Sequence, residues 1–314
     1  MFAPTPPNSA FLIATTMQRS MLSRPIGLLF LLPAVVFVAV FLVYPFFSIF
    51  FMSFTNQTLV GAQAVNPQYV GLQNYTELFN FDRWMRRGEL GHSLYLTAQF
   101  VIGSALIGQA GLGLFLATLF HNRKGILRET VFTLAITAWI IPDVVVAFAW
   151  FAYLNPDGTL NAVLNAVGIE GLDWLFDYPM LSIILFNTWR GTAFSMLLFS
   201  SALSSIPPSQ LETAAVIGAN SWQKFRDILL PQLSRYILTD LLLITLWTFN
   251  TFTPFLLTGG GPVMKTDLIS IYTYRTGLQF FQFGKGSAIA VVVMIINLLL
   301  AGVYLLFARS RRQA

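Results

Sequence analysis

Cysteine is absent from the 314 residues, which excludes disulfides, thiolate nucleophiles and Cys-ligated metal or iron–sulfur centres. Histidine is nearly absent: His92 and His121 stand far apart, so no His-rich metal site is expected. Charge is also scarce. Asp, Glu, Lys and Arg make up 10% of the chain, against about 25% in an ordinary soluble domain. Apolar residues reach 56%, so the composition is that of a membrane protein. The formal charge of +5 would suggest nucleic acid as a partner in a soluble chain. Here the location of the basic residues matters more than their sum, and no nucleic acid partner is expected.

Crossing a bilayer takes about 20 predominantly apolar residues. Six runs meet that need: Gly27 to Phe54, Ser93 to Phe120, Glu129 to Leu154, Met180 to Leu203, Tyr236 to Leu257 and Gly286 to Phe307. They contain Gly, Pro, Ser and Thr, as helices in lipid tolerate. The expected class is an all-α membrane protein with six transmembrane helices. The first run is too long for a signal-peptide core and lacks a small-residue cleavage site, so it reads as a retained helix. Residues 1–24 form a polar tail, 25–308 the membrane domain with a cytoplasmic loop at 204–235, and 309–314 a basic tail.

Short cytoplasmic loops hold an excess of Lys and Arg. Placing both termini in the cytoplasm puts eleven of the eighteen basic residues there, Arg19, Arg24, Arg123, Lys124, Arg128, Lys224, Arg226, Arg235, Arg309, Arg311 and Arg312, against six outside, Arg83, Arg86, Arg87, Lys265, Arg275 and Lys285. It also leaves the acidic stretch with Asp157, Glu170, Asp173 and Asp177 outside.

The loop from Ser204 to Arg235 is unusually structured. Ser209-Gln210-Leu211-Glu212 has the form of a capping box opening a short helix. Gly218 suits the left-handed residue that closes it. Asn220 or Ser221 then caps a second helix, Trp222 to Leu230, which Pro231 is expected to stop. Exposed Leu211, Val216, Trp222 and Phe225 suggest docking of a soluble partner, an interfacial helix lying on lipid being the alternative.

Glu212-Thr213-Ala214, Gly218 and Ile228-Leu229-Leu230-Pro231 resemble the EAA loop of permease subunits in binding-protein-dependent ABC importers. Further matches are Leu32-Pro33, Tyr44-Pro45, Val70 to Tyr75, Trp189-Arg190-Gly191, Ile206-Pro207 and Thr258 to Pro262. Together they are similar to the maltose and glycerol-phosphate type of carbohydrate permease, in its plain six-span form. Thr213 and Ile217 depart from the usual Ala and Asp. The resemblance implies a type I ABC importer permease fold in the bacterial inner membrane. It also implies a second permease subunit, two ATPase subunits carrying ATP and Mg, and an extracytoplasmic solute-binding protein. It assigns ATPase coupling to Glu212, Ala214 and Gly218, and Trp222 and Phe225 are added as packing residues.

No phosphate loop is present. Gly284-Lys285-Gly286-Ser287 comes nearest, but Gly286 follows the lysine and Gln279 stands where the first glycine belongs. The chain is therefore expected to be no enzyme and to bind no cofactor, hydrolysis falling to a partner. A secondary transporter driven by an ion gradient and a membrane scaffold are the other classes in view.

Charges at membrane depth should pair. Asp143, after Pro142, and Arg190 fall at similar depth and are expected to form an ion pair, whereas Asp240 suits a structural contact. Asn187, Arg190, Trp247, Phe249 and Asn250 offer amides, charge and aromatic faces suited to a polyhydroxylated solute. Hydrogen bonding between helices is the competing role for the two amides.

Overall fold

Apolar runs become helices in lipid because each backbone N–H and C=O must be satisfied within its own segment. In the computed structural model the described residues are 24–121 and 123–310. Among them helices dominate, and no strand forms beyond the isolated bridge of Thr55 with Tyr69. The expected amino-terminal tail and the end of the basic tail lie outside the described residues.

The chain divides into two units, Met1–Phe51 and Met52–Ala314. The first carries α1 (Arg24–Val38) and, after a π-helical turn at Ala39–Val43, α2 (Tyr44–Met52), which ends one residue past its boundary. Among the described residues its large apolar side chains from Leu28 to Phe51, Phe30, Phe37, Phe41 and Phe47 among them, are exposed.

In the second unit two short helical turns, Ala62–Val65 and Gln73–Leu78, precede α3 (Leu90–Phe100), which continues through a nine-residue π-helical stretch, Val101–Gln109, into α4 (Ala110–Phe120). Next come α5 (Ile126–Ile140), α6 (Asp143–Leu154), α7 (Thr159–Ala166) and α8 (Pro179–Ser204). The cytoplasmic loop of the sequence reading contains α9 (Pro208–Val216) and α10 (Ser221–Lys224). The long α11 (Leu230–Asn250), the short α12 (Ile269–Tyr274) and α13 (Phe283–Ser310) complete the unit.

Four helices among the described residues are long and apolar enough to cross a membrane: Leu28–Met52, Leu90–Phe120, Ser221–Thr258 and Phe283–Ala308. A fifth arises if Ile126–Ile140 and Asp143–Ala166 count as one broken span. The expected third span, Glu129 to Leu154, is therefore not one straight helix, since its two parts are bent by 109°. Pro142 lacks an N–H and forces the preceding residue out of helical conformation, and Ile141 is extended accordingly (φ −59°, ψ 135°).

The 26-residue α8 is long enough to span but more polar. Its Ser182, Asn187, Thr192 and Ser195 are buried against neighbouring helices rather than turned to lipid. Lipid gives no hydrophobic drive between helices, so close packing must come from small residues and polar contacts. Gly113 of α4 supplies one such contact, because a Cβ there would lie 2.5 Å from Ser195 Cβ. Ser195 Oγ in turn donates to Asp240 Oδ2 at 3.0 Å, tying α8 to α11 in the structural role expected of Asp240.

Outside the long helices, Asn74 donates to the carbonyls of Ser53 (2.8 Å) and Thr55 (2.9 Å). The buried Asp267 accepts from Arg275 at 2.8 Å and from Ser93 of α3 at 3.1 Å. Burial pushes the Asp267 carboxyl above its usual range, against the opposing pull of Arg275 and the Ser93 hydroxyl.

Replacing Gly113 by Ala is expected to destabilise the protein by about 1–3 kcal/mol through overpacking, read as a lowered Tm in detergent. Gly111→Ala, on the same helix with open space around its Cβ, should leave Tm unchanged or raise it slightly. Equal responses of the two variants would contradict the packing described.

Candidate functional site

Two helix breaks and one polar helix converge on a cleft. Pro254 can give no N–H to the Asn250 carbonyl and its ring would clash with it, so α11 ends at Asn250 and Thr251 is extended (φ −67°, ψ 136°). The carbonyl freed there accepts from Ser270 Oγ at 2.7 Å. At the other break Asp143 opens α6, where the positive end of the helix dipole favours a carboxylate. Asp143 Oδ1 pairs with Arg190 Nη2 of α8, and its Oδ2 accepts from Thr253 Oγ1 at 2.8 Å. One carboxylate thus joins the broken third segment, α8 and the unwound end of α11.

Beside this pair lies a cleft of about 90 Å³ lined by Gln109, Trp139, Asn187, Arg190, Gly191, Phe194, Ile244, Trp247, Thr248 and Thr251. Its polar wall is a hydrogen-bonded set. Asn187 Nδ2 donates to Ser104 Oγ (2.9 Å) and to Thr248 Oγ1 (3.4 Å), while Gln109 Nε2 reaches Thr248 Oγ1 at 3.5 Å. Ser104 and Gln109 both come from the π-helical stretch. Gly191 makes room for Gln109, whose Oε1 would lie 2.1 Å from a Cβ at that position. The aromatic wall runs from Trp139 to Phe194 (6.0 Å between ring centroids) and on to Trp247 (4.8 Å, edge to face). The combination of amides, hydroxyls, aromatic faces and one guanidinium suits a polyhydroxylated solute.

Of the residues assigned to this role from sequence, Asn187, Arg190 and Trp247 line the cleft. Phe249 does not. It is buried in an apolar cluster with Ile244, Ile289 and Val292, because it points from the opposite face of α11 to Trp247. Asn250 is outside the cleft as well, forming a reciprocal amide pair with Asn297 of α13 at 3.0 and 3.1 Å. Sequence reading missed Gln109, Trp139 and Phe194, which share no spacing and meet only through packing.

The segment between α8 and α11 differs from expectation at Ser209 and Pro231 and agrees with it at Asn220. Ser209 does not cap, because Pro208 already occupies the first turn and Pro207 stands at the cap with no side-chain bond. Asn220 caps the second helix, one of the two caps expected, and does so in a capping box with Gln223, with bonds of 2.9 and 2.8 Å. Pro231 does not stop the helix. The preceding turn, Phe225–Leu229, widens to π-helical geometry, and the helix passes into α11.

Gly218 does close α9 in the left-handed region (φ +85°). Its N–H donates to Ala215 O and that of Ala219 to Ala214 O, the double bond of a Schellman motif. Glu212, Val216, Ile217, Gly218 and Trp222 are exposed. Ala214 is buried beneath the turn, and Leu211 and Phe225 are half-buried against Phe199, Leu203 and Leu229. Trp222 packs on Phe225 with ring centroids 5.7 Å apart. The apolar residues left outward are therefore Val216, Ile217 and Trp222.

Residues 109–313 match the family described as binding-protein-dependent transport system inner membrane component. A probable ABC transporter permease of Bacillus subtilis, YesP, is 34% identical over 86% of each chain. A sulfoquinovosyl glycerol transport system permease of Agrobacterium fabrum, SmoG, is 30% identical over 92% of each. Among solved structures, a bacterial ABC transporter involved in import of the acidic polysaccharide alginate superposes with a TM-score of 0.77. It is 22% identical and covers 95% of this chain and 99% of that one. On the extent of these matches, the chain belongs to the inner membrane components of binding-protein-dependent ABC transport systems.

Proposed function

We propose that the chain is one of two permease subunits of an ATP-driven importer for a carbohydrate or polyol derivative. It would cross the membrane six times, with α8 as the sixth span alongside the four long helices and the broken one, and with both termini in the cytoplasm. Family membership supports the importer assignment, and relatives named for sulfoquinovosyl glycerol and for trehalose and maltose support the solute class. The observation that carries the site is the polar and aromatic cleft beside the Arg190–Asp143 pair. Asn187, Arg190 and Trp247 are the residues proposed to meet solute; Phe249 and Asn250 keep packing and helix-joining roles.

Solute would arrive from an extracytoplasmic binding protein, and a second permease chain would complete the path. A neighbour determined with an oligosaccharide-bound periplasmic protein supports that arrangement. ATP and Mg would sit in two partner ATPases, which would grip α9 and the exposed residues that follow it: Glu212, Gly218 and Trp222, with Ala214 and Phe225 packing from beneath. Nucleotide-driven closure would then bias the permease between outward and inward access. The family match does not support an ion-gradient mechanism. Proteoliposomes holding the assembled complex should take up solute with internal ATP and binding protein, and not with an imposed ion gradient alone.

Reversing one charge, Asp143→Arg or Arg190→Asp, places like charges together at membrane depth and should lower uptake by about tenfold, the scale of losing a charge-assisted hydrogen bond in a partly exposed pair. The double reversal should restore much of it. If the double variant is as poor as the singles while assembling normally, the ion pair is not a working contact.

Gly218→Val forces a β-branched residue into left-handed backbone at a cost of about 1–2 kcal/mol. Binding-protein-stimulated ATP hydrolysis should fall while Gly218→Asn stays close to wild type. Stimulated rates unchanged in the valine variant would remove this turn from the coupling path.

A further inference from the structure

Where the chain enters α11, the surface holds a polar recess of about 320 Å³ between Gln232, Ser234, Arg235, Tyr236 and Ala308 of α13. An apolar groove of about 560 Å³ shares Pro231, Ser234 and Leu238 with it and continues along Ile237 and Leu241. The two are one depression. Pro231, Ser234, Leu238 and Leu241 follow helical spacing on one face of α11. The polar and apolar parts run side by side from Pro231 to Leu238, and only the apolar part continues to Leu241. From Tyr236, where the span is expected to begin, to Leu241 the helix rises by about 8 Å, so the depression straddles the membrane interface.

Its donors are free. Neither the Arg235 guanidinium nor the Tyr236 hydroxyl has a partner among the described residues, and both side chains are exposed. The neighbouring charges and amides are committed elsewhere. Arg226 pairs with Asp227, and the Gln232 amide donates to Gln210 Oε1 of α9 at 2.7 Å and to Ile228 O at 3.2 Å. Among the described residues no acidic side chain lines the recess, and the sequence after Ala308 adds Arg309, Arg311 and Arg312. A forked guanidinium and a phenol beside an apolar channel match a phosphodiester carrying acyl chains.

We propose that this depression is a binding site for one anionic phospholipid. Its phosphate rests on Arg235 and Tyr236, and one acyl chain lies along Ile237, Leu238 and Leu241. The apolar groove separates this occupant from a free phosphate, which would use the recess alone. The proposal is independent of which solute is carried and requires only that α11 lies in a membrane.

The test uses the complete transporter in nanodiscs of phosphatidylcholine containing phosphatidylglycerol, with retained lipid counted by native mass spectrometry. Wild type should keep one more phosphatidylglycerol than Arg235→Gln, whose affinity falls roughly fivefold, the contribution of one basic residue at an anionic surface. Leu238→Trp fills the groove without touching charge and should lose the lipid equally. Tyr236→Phe removes a single hydroxyl, and its reduced retention provides a readout should Arg235→Gln fail to assemble. Equal phosphatidylglycerol in wild type and these variants overturns the site. So does displacement by inorganic phosphate, or a photo-crosslinker at Ser234 that captures a second permease chain instead of lipid.

Discussion

The Asp143 carboxylate is the contact on which the centre of the second unit depends. It is bonded on one oxygen to Arg190 and on the other to Thr253. Two spans are interrupted at this level, after Ile140 and after Asn250. An interruption frees backbone groups and aims helix ends into a region without bulk water, which is sustainable only where other protein groups satisfy them. Ser270 takes the Thr251 carbonyl, the α6 dipole meets Asp143, and the Arg190 charge neutralises the carboxylate. Without Asp143 the guanidinium would be an uncompensated charge and the end of α11 would lose its anchor.

Proline acts in opposite ways along this chain, and the difference lies in what surrounds it. At Pro142 and Pro254 the helix stops, leaving room for the cleft. At Pro231 it continues, because the turn before it widens to π-helical geometry and absorbs the missing donor. Continuity at Pro231 matters mechanically. The segment from Ser221 to Asn250 runs as unbroken helix from the exposed Trp222 to Trp247 in the cleft. A tilt imposed near Trp222 therefore reaches the cleft without passing through a flexible joint. The Gln232 to Gln210 bond holds α9 to the same element.

Long apolar runs were legible because lipid demands them: four of the six expected spans coincide with helices of nearly the same bounds, and the fifth starts earlier, at Ser221, and breaks after Asn250. The third shows the limit: Pro142 predicts a kink, but a 109° break depends on whether neighbours satisfy the freed groups, which spacing cannot express. Asp143 and Arg190 could be singled out because unpaired charge is costly at depth. The Ser209 capping box was misread since Pro208 sets the first turn a residue earlier. Phe249 was misassigned because a polar helix centre says nothing of which face looks inward. Gln109, Trp139 and Phe194 lie on three different helices and carry no shared local pattern. The Val70 to Tyr75 motif acquires its reason only in the structure, where Asn74 and Tyr75 bond back to Ser53 and Thr55.

The size of the cleft bears on what must move. At about 90 Å³ the cleft of this single chain has room for a few waters. In the proposed solute path, widening it would require its walls to part. The walls, formed by the π-helical stretch, α8 and α11, meet through buried polar bonds and a close glycine contact, and packed interfaces of this kind shift between discrete arrangements rather than stretching. The bonds at the two breaks are different in kind. The Asp143 and Arg190 side chains are partly exposed, and their bonding is made by side chains alone. Such a contact can be exchanged for solvent or solute hydroxyls at modest cost, whereas opening the Asn187 to Ser104 layer would strand buried groups. Rigid helices hinged at Pro142 and Pro254, latched by one carboxylate, are thus the parts able to give way while the rest of the unit stays whole.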